Sequence, residues 1–168
     1  MRRSLPVLLS VTALPIALLS TGVASAAPTN LIKVDKSINA IKIGNSEKKV
    51  IQKMGTQPTK VQTGVNDFGS YRILFFKHKF SVTVLKGGTG VVNMETTSSK
   101  QRTADDIGVG STRSELRAAY TVVCEPVPSQ PGRQSCLTDP NPRAGEISTI
   151  FRLKNKVVTE VGIATVLD

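Results

Sequence analysis

Tryptophan is absent from this 168-residue chain, histidine occurs once and cysteine twice. Each scarcity closes a class of chemistry. A lone His78 with no G-x-S-x-G around any serine leaves no nucleophile–base pair of the familiar kind. One histidine and two cysteines are also too few for an ordinary zinc site, so neither a metal nor another cofactor is expected. Acid is short as well: 12 Asp/Glu stand against 22 Lys/Arg, a formal charge of +10. Beyond residue 26 no stretch is long and apolar enough to span a bilayer.

The one long apolar stretch is an address. Arg2 and Arg3 precede "LPVLLSVTALPIALL", which Pro15 interrupts, and Ala24, Ser25 and Ala26 supply the small residues that signal peptidase needs. A signal peptide is predicted for 1–26, cut near Ala26. The mature chain from 27 is then secreted, extracellular or cell-wall-associated, with no transmembrane segment. Export puts Cys124 and Cys136 where disulfides persist. A bridge would close "CEPVPSQPGRQSC", whose three prolines read as irregular chain, and contribute about 3 kcal/mol. The alternative is a nucleophilic thiol.

Positive charge is lopsided. Residues 28–98 hold 11 Lys/Arg and 4 Asp/Glu, whereas 99–168 hold 9 and 8. Such a field attracts acidic proteins or polyanions, although a basic surface can also serve solubility alone. Nucleic acid is not expected, because no recognition helix is evident and an exported protein meets other polyanions first.

A phrase is written twice. "IKIGNSEKKVIQKM" (41–54) returns 66 positions later as "IGVGSTRSELRAAY" (107–120), with Gly44 on Gly110, Ser46 on Thr112 and Val50 on Leu116. Val50, Ile51 and Met54 form an apolar helical stripe, as do Leu116 and Tyr120. Thr112 and Glu115 spell a capping box, Ser46 can cap the first helix, and Gly55 followed by Pro58 ends it. Strand-like runs follow each helix: "YRILFF", "FSVTVLK" and "VVNMETT" in the first half, "ISTIFRL" and "VVTEVGIATV" in the second. The expectation is an α+β fold of two tandem units, 27–98 and 99–168. Each is a short helix followed by an antiparallel β-meander, the two sharing or abutting one sheet, with 97–106 as a polar linker.

The motif "GNSEKKV" (44–50) with "GSTRSEL" (110–116) resembles the tandem-repeat β-lactamase inhibitor proteins of soil actinobacteria. More distantly it resembles the SmpA/OmlA-type outer-membrane assembly lipoproteins. The likeness covers about 41–164. It implies a disulfide soon after the second helix, where Cys124 and Cys136 stand, and a binding hairpin in the first unit. At the matching turn those inhibitors offer an acidic residue, while this chain carries Lys77, His78 and Lys79. Cations there oppose a pocket built to attract a carboxylate, which speaks against a β-lactamase as target.

Other patterns are weak. "SEKK" (46–49) matches S-x-x-K, but Ser46 has a use as a cap; Glu95, Glu146 and Glu160 sit in or near strands, where glutamates are mostly solvated. No enzyme is expected. Five of the seven aromatics fall within 68–80. If one face of this region is open, Leu74 and Phe76 beside Lys77, His78 and Lys79 make an apolar patch with a basic rim; otherwise Leu74 and Phe76 pack inward. The leading expectation is an exported, non-enzymatic protein-binding module, an inhibitor of an acidic extracellular protein being one form of it. The alternative is an envelope-associated factor held electrostatically on wall or membrane polyanions.

Overall fold

The computed structural model describes residues 32–139 and 141–167; the signal peptide and its cleavage near Ala26 lie outside the described residues. Ser46 starts the first helix, α1 (Glu47–Met54), in extended conformation, and its hydroxyl accepts from the Lys49 N–H at 3.3 Å. That satisfies one of the donors a first turn leaves free. Val50 is its fully buried residue. Gly55 closes α1 at φ 63°, a left-handed conformation that a side chain would strain. The second helix, α2 (Arg113–Ala119), begins at Thr112 with the full capping box, the Thr112 N–H donating to Glu115 at 2.6 Å and the Glu115 N–H returning to the Thr112 hydroxyl at 3.2 Å. Both helices are too short to persist alone, so packing of Val50 and Leu116 holds them.

Strand makes up the rest of the regular structure. β1 (Ile32–Lys33) and β2 (Ser37–Ile38) form a small ladder of their own. After α1 come β3 (Lys60–Asn66), β4 (Gly69–Phe76), β5 (Phe80–Leu85) and β6 (Gly90–Thr96). After α2 come β7 (Val123–Pro126), β8 (Arg133–Leu137), β9 (Ile147–Lys154) and β10 (Val157–Thr165). These eight join one antiparallel sheet in the order β3-β4-β5-β6-β10-β9-β8-β7.

The α+β expectation of two tandem helix-plus-meander units is therefore corrected. The described residues are 46% strand and 11% helical, a sheet-dominated fold. The physical reason lies at the β6–β10 seam, where Val161 faces Thr96 and Ile163 faces Met94, so the backbone ladder runs through without a boundary. Val82, Met94, Phe151, Val161 and Ile163 share a single buried cluster with Val50 and Leu116. The glycine before each helix joins that sheet too: the Gly44 N–H donates to the Val91 carbonyl at 2.8 Å, and the Gly110 N–H to the Val158 carbonyl at 2.9 Å.

Two other expectations change. The proline-rich stretch read as irregular is largely the β7–β8 hairpin, in which the bonded Cys124 and Cys136 are directly opposite each other. Residues 97–106 are not a loose linker: Ser98, Gln101 and Thr103 are buried, and the Arg102 carbonyl accepts from the Ile32 N–H at 2.8 Å. This segment underlies the β1–β2 pair.

Candidate functional site

Lysines from four pieces of chain line a cleft of about 1010 Å³. The first is the β1–β2 turn, which exposes Lys33 and Lys36. Asp35 sits between them at φ 54° and is held from the far side of the sheet: its Oδ1 accepts from the Thr149 N–H, the Thr149 hydroxyl and the Thr138 hydroxyl, each at 2.7 Å. The second piece, 39–43, is anchored by Ile38 and Ile41, both fully buried, which leaves Lys42 exposed. The third is the last turn of α1, where the Lys53 ammonium reaches the Ala40 carbonyl. The fourth is the β4–β5 turn, with Lys77 and His78 exposed. His78 and Lys79 there adopt φ of 63° and 59°, a left-handed geometry that costs a side chain roughly 1 kcal/mol.

Charge in the cleft is one-sided. Lys33, Lys36, Lys42, Lys53 and Lys77, with His78, face a single carboxylate, Asp35, whose Oδ1 is already engaged three times. Among the described residues, the ion pairs are Arg72–Glu47, Arg102–Asp106, Arg152–Glu95 and Arg152–Glu160, and none uses a cleft lysine. Five ammonium groups without a counterion repel one another, a cost that an incoming anion removes. Ile43, Met54 and Ile147 add apolar wall, and Gln101 and Asn39 add amides.

Of the residues predicted for partner binding, the cleft gathers Lys77 and His78. Lys79, on the same turn, is exposed but does not line it. Leu74 and Phe76 are a correction: they are 0% and 4% exposed and belong to the core. Register explains it. Leu74 lies opposite Val82 and Phe76 opposite Phe80, both on the face that packs beneath the sheet, with the two phenyl rings 6.2 Å apart. The alternate residues Tyr71, Ile73 and Phe75 occupy the other face, half-buried, and Lys60 lies over the Phe75 ring at 5.6 Å. No apolar patch adjoins the basic turn through Leu74 or Phe76. Lys33, Lys36, Lys42 and Lys53 were missed as site residues; the density of lysine between 33 and 53 was the signal that could have found them. Gln101 carried none.

The remaining candidates have structural employment. Ser46 of "SEKK" caps α1, and Glu95 and Glu160 both pair with Arg152. The Tyr120 hydroxyl donates to Asp105; burial, reinforced by that carboxylate, raises its pKa above the usual phenol value. Among the described residues, no three His, Cys, Asp or Glu side chains come together, and no helix is long and apolar enough to cross a membrane.

No protein-family model matches the chain, and no curated protein is similar to it. Among solved structures it is similar to an extracellular protein containing a SCP domain from Bacillus anthracis, with a TM-score of 0.45 and 9% identity. It is also similar to a cysteine-rich secretory protein from Staphylococcus aureus, with a TM-score of 0.43 and 14% identity. Each likeness covers 73% of this chain and 44% of the other, so the chain spans less than half of either protein. The resemblance to tandem-repeat inhibitors and SmpA/OmlA-type lipoproteins finds no family match.

Proposed function

We propose that this protein is an exported, non-enzymatic binding module that holds an anionic polymer of the cell envelope in the lysine-lined cleft by charge. The observation that carries this reading is the convergence of five lysines from four segments on one cavity with a single, already engaged carboxylate. Lysine suits a flexible polyanion, because its ammonium is a rotatable point charge that follows the polymer without fixing its geometry. The signal sequence and the Cys124–Cys136 bridge support export.

The acidic-protein reading loses its anchor. It needed Leu74 and Phe76 as apolar centre inside a basic rim, and both are core residues. Protein interfaces draw most of their affinity from such desolvated anchors, whereas charge alone suffices for a polyanion. An enzymatic reading would need a reactive set, and Ser46, Glu95 and Glu160 are occupied by a cap and by ion pairs.

The test is a salt titration of binding to inorganic polyphosphate. Screening shortens from about 10 Å at 0.1 M to about 3 Å at 1 M. Affinity is expected to fall steeply across that range. An isotherm unchanged by salt, or no binding at low salt, overturns the proposal.

A further inference from the structure

We infer that the cleft selects a polyanion whose repeating unit also carries a free hydroxyl, a polyol phosphate rather than a bare phosphate chain. The inference rests on the charge-binding reading above and adds the second half of the recognition. Lysines supply only donors, so they cannot accept from a hydroxyl. Two amides on the same cleft supply acceptors. Gln101 is 2% exposed, and its Oε1 is buried without any hydrogen-bond partner. Asn39 Oδ1, also on the cleft, is equally buried and equally unpartnered.

Buried acceptors left unpaired are rare, because each forfeits its bond to water. Both amides hang from backbone that is held in place. Gln101 is fixed between Ser98, whose carbonyl accepts the Gln101 N–H at 3.4 Å, and Arg102, whose carbonyl takes the Ile32 N–H. Gly108 closes over it so tightly that a Cβ there would stand 2.6 Å from the Gln101 carbonyl oxygen. Asn39 is held at φ 52° beside the Ile38–Ile41 bridge. Both residues line the same cleft as the ammonium groups, with their backbone held in place. A phosphate chain alone leaves them unsatisfied, since at neutral pH its internal phosphates have no proton to donate. A glycerol phosphate chain meets both needs, phosphates to Lys33, Lys36 and Lys77 and a repeat hydroxyl to Gln101.

The experiment compares poly(glycerol phosphate) with inorganic polyphosphate of equal length, at one ionic strength, on the secreted form of the full chain. The glycerol polymer is expected to bind about five- to tenfold tighter, the worth of one hydrogen bond to a buried acceptor. Gln101→Met is expected to bring the ratio of the two affinities to about one. Should that variant fold poorly, the ligand carries the same test: capping the polymer's hydroxyls as methyl ethers keeps every charge and is expected to remove the preference from the unaltered protein. Equal binding of capped polymer, uncapped polymer and polyphosphate overturns the hydroxyl inference while leaving charge binding intact. Absence of binding to all three overturns both.

Discussion

One oxygen of Asp35, Oδ1, receives both the backbone N–H and the hydroxyl of Thr149, each at 2.7 Å and across 114 positions of chain. The bond is returned, because the Asp35 N–H donates to the Thr149 hydroxyl, also at 2.7 Å. Thr149 is on β9 and wholly buried, whereas Asp35 lies on the exposed turn that carries Lys33 and Lys36. The clamp therefore fixes one wall of the cleft to the sheet.

Breaking it is costly. Asp35→Ala removes one charged acceptor from three donors at once, leaving the Thr149 N–H only the Thr138 hydroxyl at 3.0 Å, and is expected to destabilise by about 3 kcal/mol. Asp35→Asn keeps an acceptor oxygen and is expected to lose about 1 kcal/mol. Urea unfolding of the three proteins checks both values. A loss for the alanine variant no larger than that of an ordinary surface change would show that the turn is held by something else.

The Cys124–Cys136 bridge ties β7, one of the two edge strands of the sheet, to β8. Its twelve-residue separation places the expected contribution near 3 kcal/mol. For a chain of this length, reduction is expected to lower the melting temperature by about 10 °C. Thermal unfolding with and without reductant measures it, and coincident curves would remove the bridge from the account of stability.

Glu115 gives a pH dependence with a definite sign. The Thr112 N–H, and after it the Thr112 hydroxyl, holds the carboxyl below its ordinary value of 4.5. A depressed folded pKa contributes stability above the unfolded value, and that contribution fades as pH falls through the lower folded value. Glu115→Gln removes this titration while keeping an oxygen for the cap. The gap in unfolding midpoint between wild type and variant is expected to be present at pH 7 and to narrow below about 4.5. A gap that widens toward acid would contradict the cap assignment.

Local signals in the sequence were the reliable ones. Ser46, Gly55 and Thr112 mark helix ends through contacts within three or four residues, and the structure puts them there. Alternation located β4, β5, β6, β9 and β10 for the same reason. It could not assign the faces of β4, where Tyr71, Ile73 and Phe75 are as apolar as Leu74 and Phe76; the core face is decided by Val82 and Phe80 on the neighbouring strand. β3 escaped notice because it is an edge paired only with β4, with Val61 and Val65 exposed, so no burial pattern is written into it.

The cleft was half legible. An excess of lysine between 33 and 53 is visible along the chain, but its convergence with Lys77 and Gln101 depends on sheet register and on the Asp35 clamp. The balance of helix to strand was misread because duplicated helix starts drew attention to two units, while the continuous β6–β10 ladder that merges them leaves no local mark.

Position, rather than total charge, is what the cleft reading requires, and two variants of equal charge separate them. Lys33, Lys36, Lys42 and Lys77 line the cleft, while Lys48, Lys49, Lys79 and Lys86 do not; all eight are exposed. Changing either set of four to glutamine removes the same charge and leaves the core untouched, so both proteins are expected to unfold near the wild-type midpoint. Exposed ion pairs contribute roughly 0.5 kcal/mol each. The cleft set is therefore expected to lose about 2 kcal/mol of binding to polyphosphate, about thirtyfold. The other set acts only through a screened field and is expected to lose no more than about threefold. Equal losses would mean that the polymer responds to the protein's surplus charge at large, and the cleft would then have no special claim as the binding site.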